Sequence, residues 1–435
     1  SPPSLPSLKN CSASFERKNY ANYLQAAGYT TAYFGKYLNP PAMDSYCHNK
    51  SIAIDGWSEM LGMCNTAYYN INWVDSEGKL VKTGSKPTEY STSIVGNKTI
   101  DFIERMSLNQ SSPRKPFFVS AATRAPHGPS TPAPWYMNHV FAGGDAAMRS
   151  PNWNNTGRGD DNHVDWVTDN GALSKNEAKA LDRDNRNRWL TLMSVDDLVE
   201  AVVSTVDRLG IAESTYIFYS SDHGYHLGHL NLPAGKRHFY EFDIRVPFLA
   251  MGPRIAANST MSAHIASNVD LAPTFMDLAG IDVATHAPMI DGKSVLSWLL
   301  TPTNGSISSS QDDVDDVFAL APSWRTAVLI EFSGLKDWPK NWPDGSRVND
   351  CPNNTYRGLR IVDPSARASE RNMMYSELTV VSDYDYEEIN WRELYDLDAD
   401  PYQLSNLWFN ISESTRDALA KRLAQEWRCV GAACL

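Results

Sequence analysis

The sequence predicts an α/β fold: a large, mostly parallel sheet between layers of helices, followed by a small C-terminal antiparallel α+β domain. Three observations predict it. Helical and strand-like apolar patterns alternate through the first three hundred residues, the order that builds a parallel sheet. The strand-like runs there, Pro116 to Ala122 and Tyr216 to Tyr219 among them, are continuously apolar or small, as strands covered on both faces are. Beyond the polar stretch Thr301 to Asp316 the pattern changes to short alternating runs. At 435 residues the chain exceeds the usual size of a single core, and the composition change divides it into domains 1–315 and 316–435.

In chain order, the Pro/Ser/Leu-rich start, Ser1 to Lys9, carries no core element. An amphipathic helix from about Phe15 to Ala27 ends at Gly28, in the C-cap position, and an apolar strand runs on to Gly35. A second helix, about Ser91 to Met106, leads through a polar loop into the strand Pro116 to Ala122. Gly143 to Asn170 is Gly/Asn/Asp-rich and aperiodic, a long loop of the kind found near functional surfaces. The longest helix spans about Asn176 to Leu209, with Trp189, Leu192, Val195, Val199 and Val206 at helical spacing, and feeds the strand that stops at Asp222-His223. The Asp196-Asp197 pair lies inside this helix and is assigned to packing and solvent. Strands are expected near 326–332, 356–362, 374–381 and 393–397, with a last helix from Ser414 to Trp427.

The net charge of −12 opposes general attraction to nucleic acid or to an anionic membrane, so an anionic substrate has to be held by local cations. No apolar run is long enough to span a bilayer, and the first residue, Ser1, is expected to follow a processing cut. Six cysteines and no Cys-x-x-Cys pair indicate disulfides rather than zinc. Close spacing pairs Cys429 with Cys434 and Cys47 with Cys64, leaving Cys11 for Cys351. Glycosylation sequons at Asn10, Asn49, Asn97, Asn109, Asn154, Asn258, Asn304, Asn353 and Asn410 point the same way, to a secreted or lysosomal protein.

The chemistry-bearing residues cluster at strand ends. Tyr216 to Ser221 runs into Asp222-His223-Gly224, placing a carboxylate and an imidazole at the carboxyl end of a strand, where open α/β sheets bind ligands. Gly224 allows a tight turn beside them. Lys36 follows directly on the strand that ends at Gly35, and His127 sits in the Pro-flanked loop Ala125-Pro126-His127-Gly128-Pro129 after another strand. Lys236 precedes Tyr240-Glu241-Phe242-Asp243-Ile244-Arg245-Val246-Pro247.

These segments, in this order and over about Phe15 to Cys434, resemble the type I sulfatases of the alkaline phosphatase superfamily. The runs Phe34 to Asn39, Arg188 to Glu200 and Tyr240 to Pro247 are most similar to the subgroup acting on N-acetylglucosamine 6-sulfate. The resemblance implies an alkaline-phosphatase-like sandwich and one Ca2+ per active site, with Asp222 and His223 as metal ligands. It also implies that Lys36 and Lys236 contact sulfate and that His127 assists the leaving oxygen, a role suited to an imidazole. Of His226, His229 and His238, each of which an ordinary loop hydrogen bond would also explain, His226 is assigned to substrate contact.

Three departures from the family pattern shape the expectation. The family places a strand ending in two metal-binding carboxylates, then a Cys-x-Pro/Ala-Ser-Arg motif that becomes formylglycine, ahead of the Phe15 helix. The fourteen residues before Phe15 hold neither. Cys11-Ser12-Ala13-Ser14-Phe15 imitates the motif but has Phe where Arg is required, and Cys11 is assigned to a disulfide. His223 stands where the similar subgroup has Asn, and Leu38 stands where many sulfatases have His. The expected protein is therefore the C-terminal fragment of a processed sulfatase, partnered by an N-terminal fragment that carries formylglycine and acting on a sulfated carbohydrate. The alternatives are a non-catalytic sulfatase-fold glycoprotein and a phosphoester or phosphonate hydrolase of the same superfamily.

Overall fold

The computed structural model describes residues 19–39, 43, 46–47, 54–109, 115–157, 162–168, 170–261, 264–300, 324–334, 354–380, 384–431 and 434. Among the described residues the helices longer than one turn are α1 (Tyr20–Ala26), α2 (Ser91–Leu108), α3 (Lys175–Arg208), α4 (Leu271–Leu278) and α5 (Glu413–Glu426). The chain divides into two compact units, one of residues 1–145, 183–216 and 275–286, the other of 146–182, 217–274 and 287–435. The domain boundary expected at 315/316 lies outside the described residues.

The first unit is built on a five-stranded sheet of β1 (Thr30–Gly35), β2 (Glu59–Met63), β3 (Asn72–Asp75), β4 (Leu80–Lys82) and β5 (Phe117–Ala122), in the order β4-β3-β2-β1-β5. β1 runs parallel to both β2 and β5, whereas β3 and β4 form an antiparallel hairpin on β2. The sheet is thus mixed. Both faces are covered, as the apolar runs require. Ala32 and Phe34 of β1 pack with Val95 and Phe102 of α2, and Leu198 of α3 lies against them. On the other face Ala21 of α1 packs with Met43, Trp57 and Met60. α1 starts on the side chain of Asn19, which accepts the Asn22 amide at 3.1 Å. It stops in a Schellman turn, with Gly28 and Tyr29 amides donating to the Gln25 and Leu24 carbonyls.

The second unit holds β6 (Ile217–Ser220), β7 (His226–Leu227), β8 (Ala234–Gly235) and β9 (Phe248–Met251), then β10 (Ala327–Phe332), β11 (Thr355–Val362), β12 (Asn372–Thr379) and β13 (Trp391–Asp396). The last four form an antiparallel sheet in sequence order, close to the expected strands. One face packs Leu359, Ile361, Tyr375 and Leu394 on Leu423 of α5. The other packs Tyr356, Met374 and Tyr395 against Val164, Leu230, Phe239 and Tyr240. With both faces covered, β11 and β12 are buried almost throughout instead of on alternate residues. β6 pairs antiparallel with β9 in a two-stranded sheet, and β7 with β8.

Candidate active site

In the first unit, Lys36 and His127 leave neighbouring parallel strands at their carboxyl ends. Gly35 pairs with Ala122 in the β1–β5 register, and the Lys36 amide donates to the Ala122 carbonyl at 2.9 Å. That approach needs glycine: at Gly35, φ is +121° and an added Cβ would lie 1.8 Å from the Ala122 oxygen. Three residues after Ala122 the loop 125–130 begins. Its carbonyls are tied down by side chains: Tyr68 Oη donates to His127 O at 2.7 Å, Ser130 Oγ to Pro126 O at 3.0 Å, and Arg188 to Pro126 O at 3.2 Å. The buried Arg124 guanidinium donates to Gly128 O. His127 itself is exposed, and its Nδ1 lies 2.8 Å from the Gly128 carbonyl, which requires Nδ1–H and leaves Nε2 as the nitrogen for chemistry.

In the second unit, Asp222 and His223 lie just past β6, as the sequence predicts. The Asp222 carboxylate is 72% exposed, and its Oδ2 is 3.2 Å from His223 Nε2. His223 Nδ1 lies 2.7 Å from the Gly224 carbonyl, so Nδ1 carries the proton and Nε2 presents a lone pair. Lys236 Nζ donates to that lone pair at 2.7 Å. The pairing of β7 with β8, His226 opposite Gly235, returns the chain so that Lys236 reaches His223. Asn268, at the start of the segment leading into α4, donates to the Ser221 and Asp222 carbonyls at 3.0 and 3.2 Å and holds the turn from behind. These residues border a cavity of about 1680 Å³ in this unit.

A divalent cation fits this half-site in part. The exposed Asp222 carboxylate is a suitable donor, and His223 Nε2 becomes one when Lys236 Nζ moves off its lone pair, but Ca2+ takes six to eight ligands, chiefly oxygen. Among the described residues no group of three or more His, Cys, Asp or Glu side chains is poised to hold a metal.

Of the three further loop histidines, His226 and His238 are buried and His229 is half-buried. His226 is fully buried, with Nδ1 at 2.8 and 3.0 Å from the two Asp243 carboxylate oxygens. His238 is 2% exposed, and burial pushes His229 down to about pKa 4, with the neighbouring His226 adding to the shift. Asp197 accepts the Tyr136 hydroxyl, in keeping with a packing role. Cys47–Cys64 and Cys429–Cys434 are disulfides, as spacing predicts; Cys11 and Cys351 lie outside the described residues. Asn97, Asn109, Asn258 and Asn410 are exposed, whereas Asn154 is half-buried and its side-chain oxygen accepts the Leu173 amide. Asn10, Asn49, Asn304 and Asn353 lie outside the described residues.

Sequence reasoning did not single out Asp243, Asn268 or Glu393 as individual residues. Glu393 is completely buried and accepts from Tyr240 Oη, Tyr395 Oη, Trp391 Nε1 and the Val164 amide. Its carboxylate joins β13 to the segment that follows Lys236. In the sequence Glu393 stands beside Arg392 in the run Trp391 to Tyr395, a pattern that a surface carboxylate would produce equally well.

Comparison with known proteins bears on the family. A profile of the Sulfatase family matches residues 12–281. N-acetylglucosamine-6-sulfatase of Bos taurus is 34% identical over 427 residues, 94% of this chain and 68% of that protein. The extracellular sulfatase SULF-1 homolog of Drosophila melanogaster is 36% identical over 335 residues, 75% of this chain and 27% of that protein. A solved structure of a protein in complex with its substrate D-glucosamine-2-N,6-O-disulfate superposes with a TM-score of 0.63 at 21% identity, covering 93% of this chain and 80% of the other, a likeness of fold. With a family profile over more than half of its length and a relative 34% identical across 94% of it, this chain belongs to the sulfatase family.

Proposed function

We propose that this chain is the major part of a secreted or lysosomal sulfatase that hydrolyses the 6-O-sulfate of N-acetylglucosamine, or of a related sugar, in a sulfated polysaccharide. The observation that carries this reading is the contact of Lys236 with His223 beside the exposed Asp222 carboxylate, cation and metal donors together at a strand end. The relatives' substrates support the sugar, and the two disulfides with the exposed sequons support the compartment.

In hydrolysis the S–O bond to the sugar breaks, water supplies hydroxyl to sulfur, and the sugar oxygen leaves with a proton. To Lys36 and Lys236 we assign the binding of sulfuryl oxygens as ammonium groups, which would hold the ester in one orientation. His127, with Nδ1–H bound to Gly128, delivers the leaving-group proton from Nε2 and so works as imidazolium. Asp222 and His223 would hold the metal, which when bound supplies Lewis-acid polarisation of the sulfate. Formylglycine and the remaining carboxylate ligands would come from a preceding segment of the same precursor.

Native protein should release inorganic sulfate from N-acetylglucosamine 6-sulfate, and Asp222→Ala should abolish both Ca2+ binding and that release. Intact mass under denaturing conditions should show a second polypeptide with formylglycine. Release of phosphate or phosphonate in preference to sulfate, or a single polypeptide inert on every sulfate ester, would refute the reading.

A further inference from the structure

The segment that bears Lys236 is held on two sides. Toward the C-terminal sheet, Asn354 donates to Arg237 O at 2.6 Å, Tyr240 Oη donates to Glu393, Gln403 accepts the Glu241 amide, and Arg360 pairs with Glu241 at 2.7 Å. Toward the Asp222-His223 turn, the contacts converge on Asp243. One carboxylate oxygen pair accepts the His226 Nδ1–H at 2.8 and 3.0 Å and the His238 amide at 2.9 Å, and the Asp243 carbonyl accepts the Gly224 amide at 2.7 Å. The Tyr225 amide adds a bond to Phe242 O at 2.9 Å, and the approach is so close that a Cβ on Gly224 would lie 2.2 Å from that oxygen.

We propose that Asp243 is a positioning residue that sets the reach between Lys236 and the Asp222-His223 turn, with His226 as its partner. The inference rests on the proposed roles of Lys236, Asp222 and His223. Its physical basis is the burial of the acid. The Asp243 side chain is 1% exposed and that of His226 is fully buried, so the carboxylate is tolerated there only while donors satisfy it. The donors to the carboxylate belong to two places in the chain, His226 after the metal turn and His238 two residues beyond Lys236, while the Gly224 amide in the turn bonds the Asp243 backbone carbonyl. Asparagine would turn an N–H2 toward a donor, and alanine would leave both donors without their acceptor. Either change loosens the packing that sets the Lys236 segment against the Asp222-His223 turn. His226 thereby acts through Asp243, from a position closed to solvent.

The test uses native protein, with Ca2+ binding followed by calorimetry, inorganic sulfate as competitive inhibitor, and urea unfolding. Asp243→Asn and His226→Gln should weaken Ca2+ binding and sulfate inhibition about 10- to 100-fold, the usual effect of losing a group that orients ligands. Arg360→Met, which breaks a contact of the same segment on its far side, should lower stability and leave both constants within about twofold. If Asp243→Asn and His226→Gln behave like Arg360→Met, the positioning role is wrong. His226→Gln carries the test should Asp243→Asn fail to fold. Asp222→Ala and Lys236→Ala separate the two layers. If these leave Ca2+ and sulfate binding unchanged, the site reading itself fails and the proposal with it; if they abolish binding while Asp243→Asn does not weaken it, only the positioning role is refuted.

Discussion

Replacing Gly35 with alanine is the most direct probe of how the strand ends place Lys36 and His127. The new Cβ would lie 1.8 Å from the Ala122 carbonyl oxygen and 2.6 Å from its carbon, both backbone atoms that no rotamer change can move. An ordinary C···O approach is about 3.3 Å, so β1 and β5 must separate by about 1.5 Å at this point. Two costs follow. A non-glycine residue at φ +121° carries roughly 1–3 kcal/mol of strain. The 2.9 Å bond from the Lys36 amide to the same oxygen is broken or badly bent, for about 1–3 kcal/mol more. The total, about 2–6 kcal/mol, is a large part of the 5–15 kcal/mol of a typical domain. Misplacement by more than about 1 Å should also cost on the order of 100-fold in kcat/KM. Urea unfolding and sulfate release, normalised to folded protein, would measure both. A Gly35→Ala protein within about 1 kcal/mol of wild type and within threefold in kcat/KM would refute the reasoning, because it would show that the two strand ends need not be this close.

Three further outcomes follow from the same geometry. His127→Ala should slow turnover by about 10²–10⁴-fold on a sugar sulfate, and least on an activated aryl sulfate whose leaving oxygen needs no proton; equal losses on both would exclude the leaving-group role. His229 titrates near pH 4 in the fold against an ordinary 6.5, so the unfolded chain binds the extra proton between those values. Stability present above pH 6.5 should therefore be lost as pH falls toward 4, by about 3 kcal/mol at roughly 1.4 kcal/mol per pH unit, and His229→Gln should flatten that part of the urea-midpoint profile. The Cys47–Cys64 bridge closes a separation of 17 residues and Cys429–Cys434 one of 5. On loop entropy, Cys64→Ser with Cys47→Ser should cost about 3 kcal/mol and the Cys429/Cys434 pair about 2, and the reverse order would show that strain or residual structure dominates.

Much of the fold was legible because local patterns carry it. Periodicity placed α2, α3 and α5 within a residue or two at most ends, and the alternating runs placed β10 to β13. Close cysteine spacing sufficed for the two described bridges, since short loops meet with little searching. Asp222 and His223 were visible as polar residues halting an apolar strand. The hairpin of β3 and β4 was not anticipated, although Asp75-Ser76-Glu77-Gly78 is a turn sequence, because its strands are only four and three residues long.

The sequence by itself determined which side chains could do chemistry, since Lys, His and Asp next to strand ends are local facts. Tertiary structure alone decided which of them meet. That Lys236 reaches His223 depends on the β7–β8 pairing, and that Asp243 holds His226 depends on a contact across 17 positions of chain. Burial was decided there too: the apolar run Ile217–Ser220 reads as a core strand, yet it is half-buried, because burial is a property of what packs against a strand and not of its own residues. The same holds for Glu393 and Asp243, acidic residues whose solvent exposure no periodicity reports, and whose inward placement becomes tolerable only when donors from distant segments close around them.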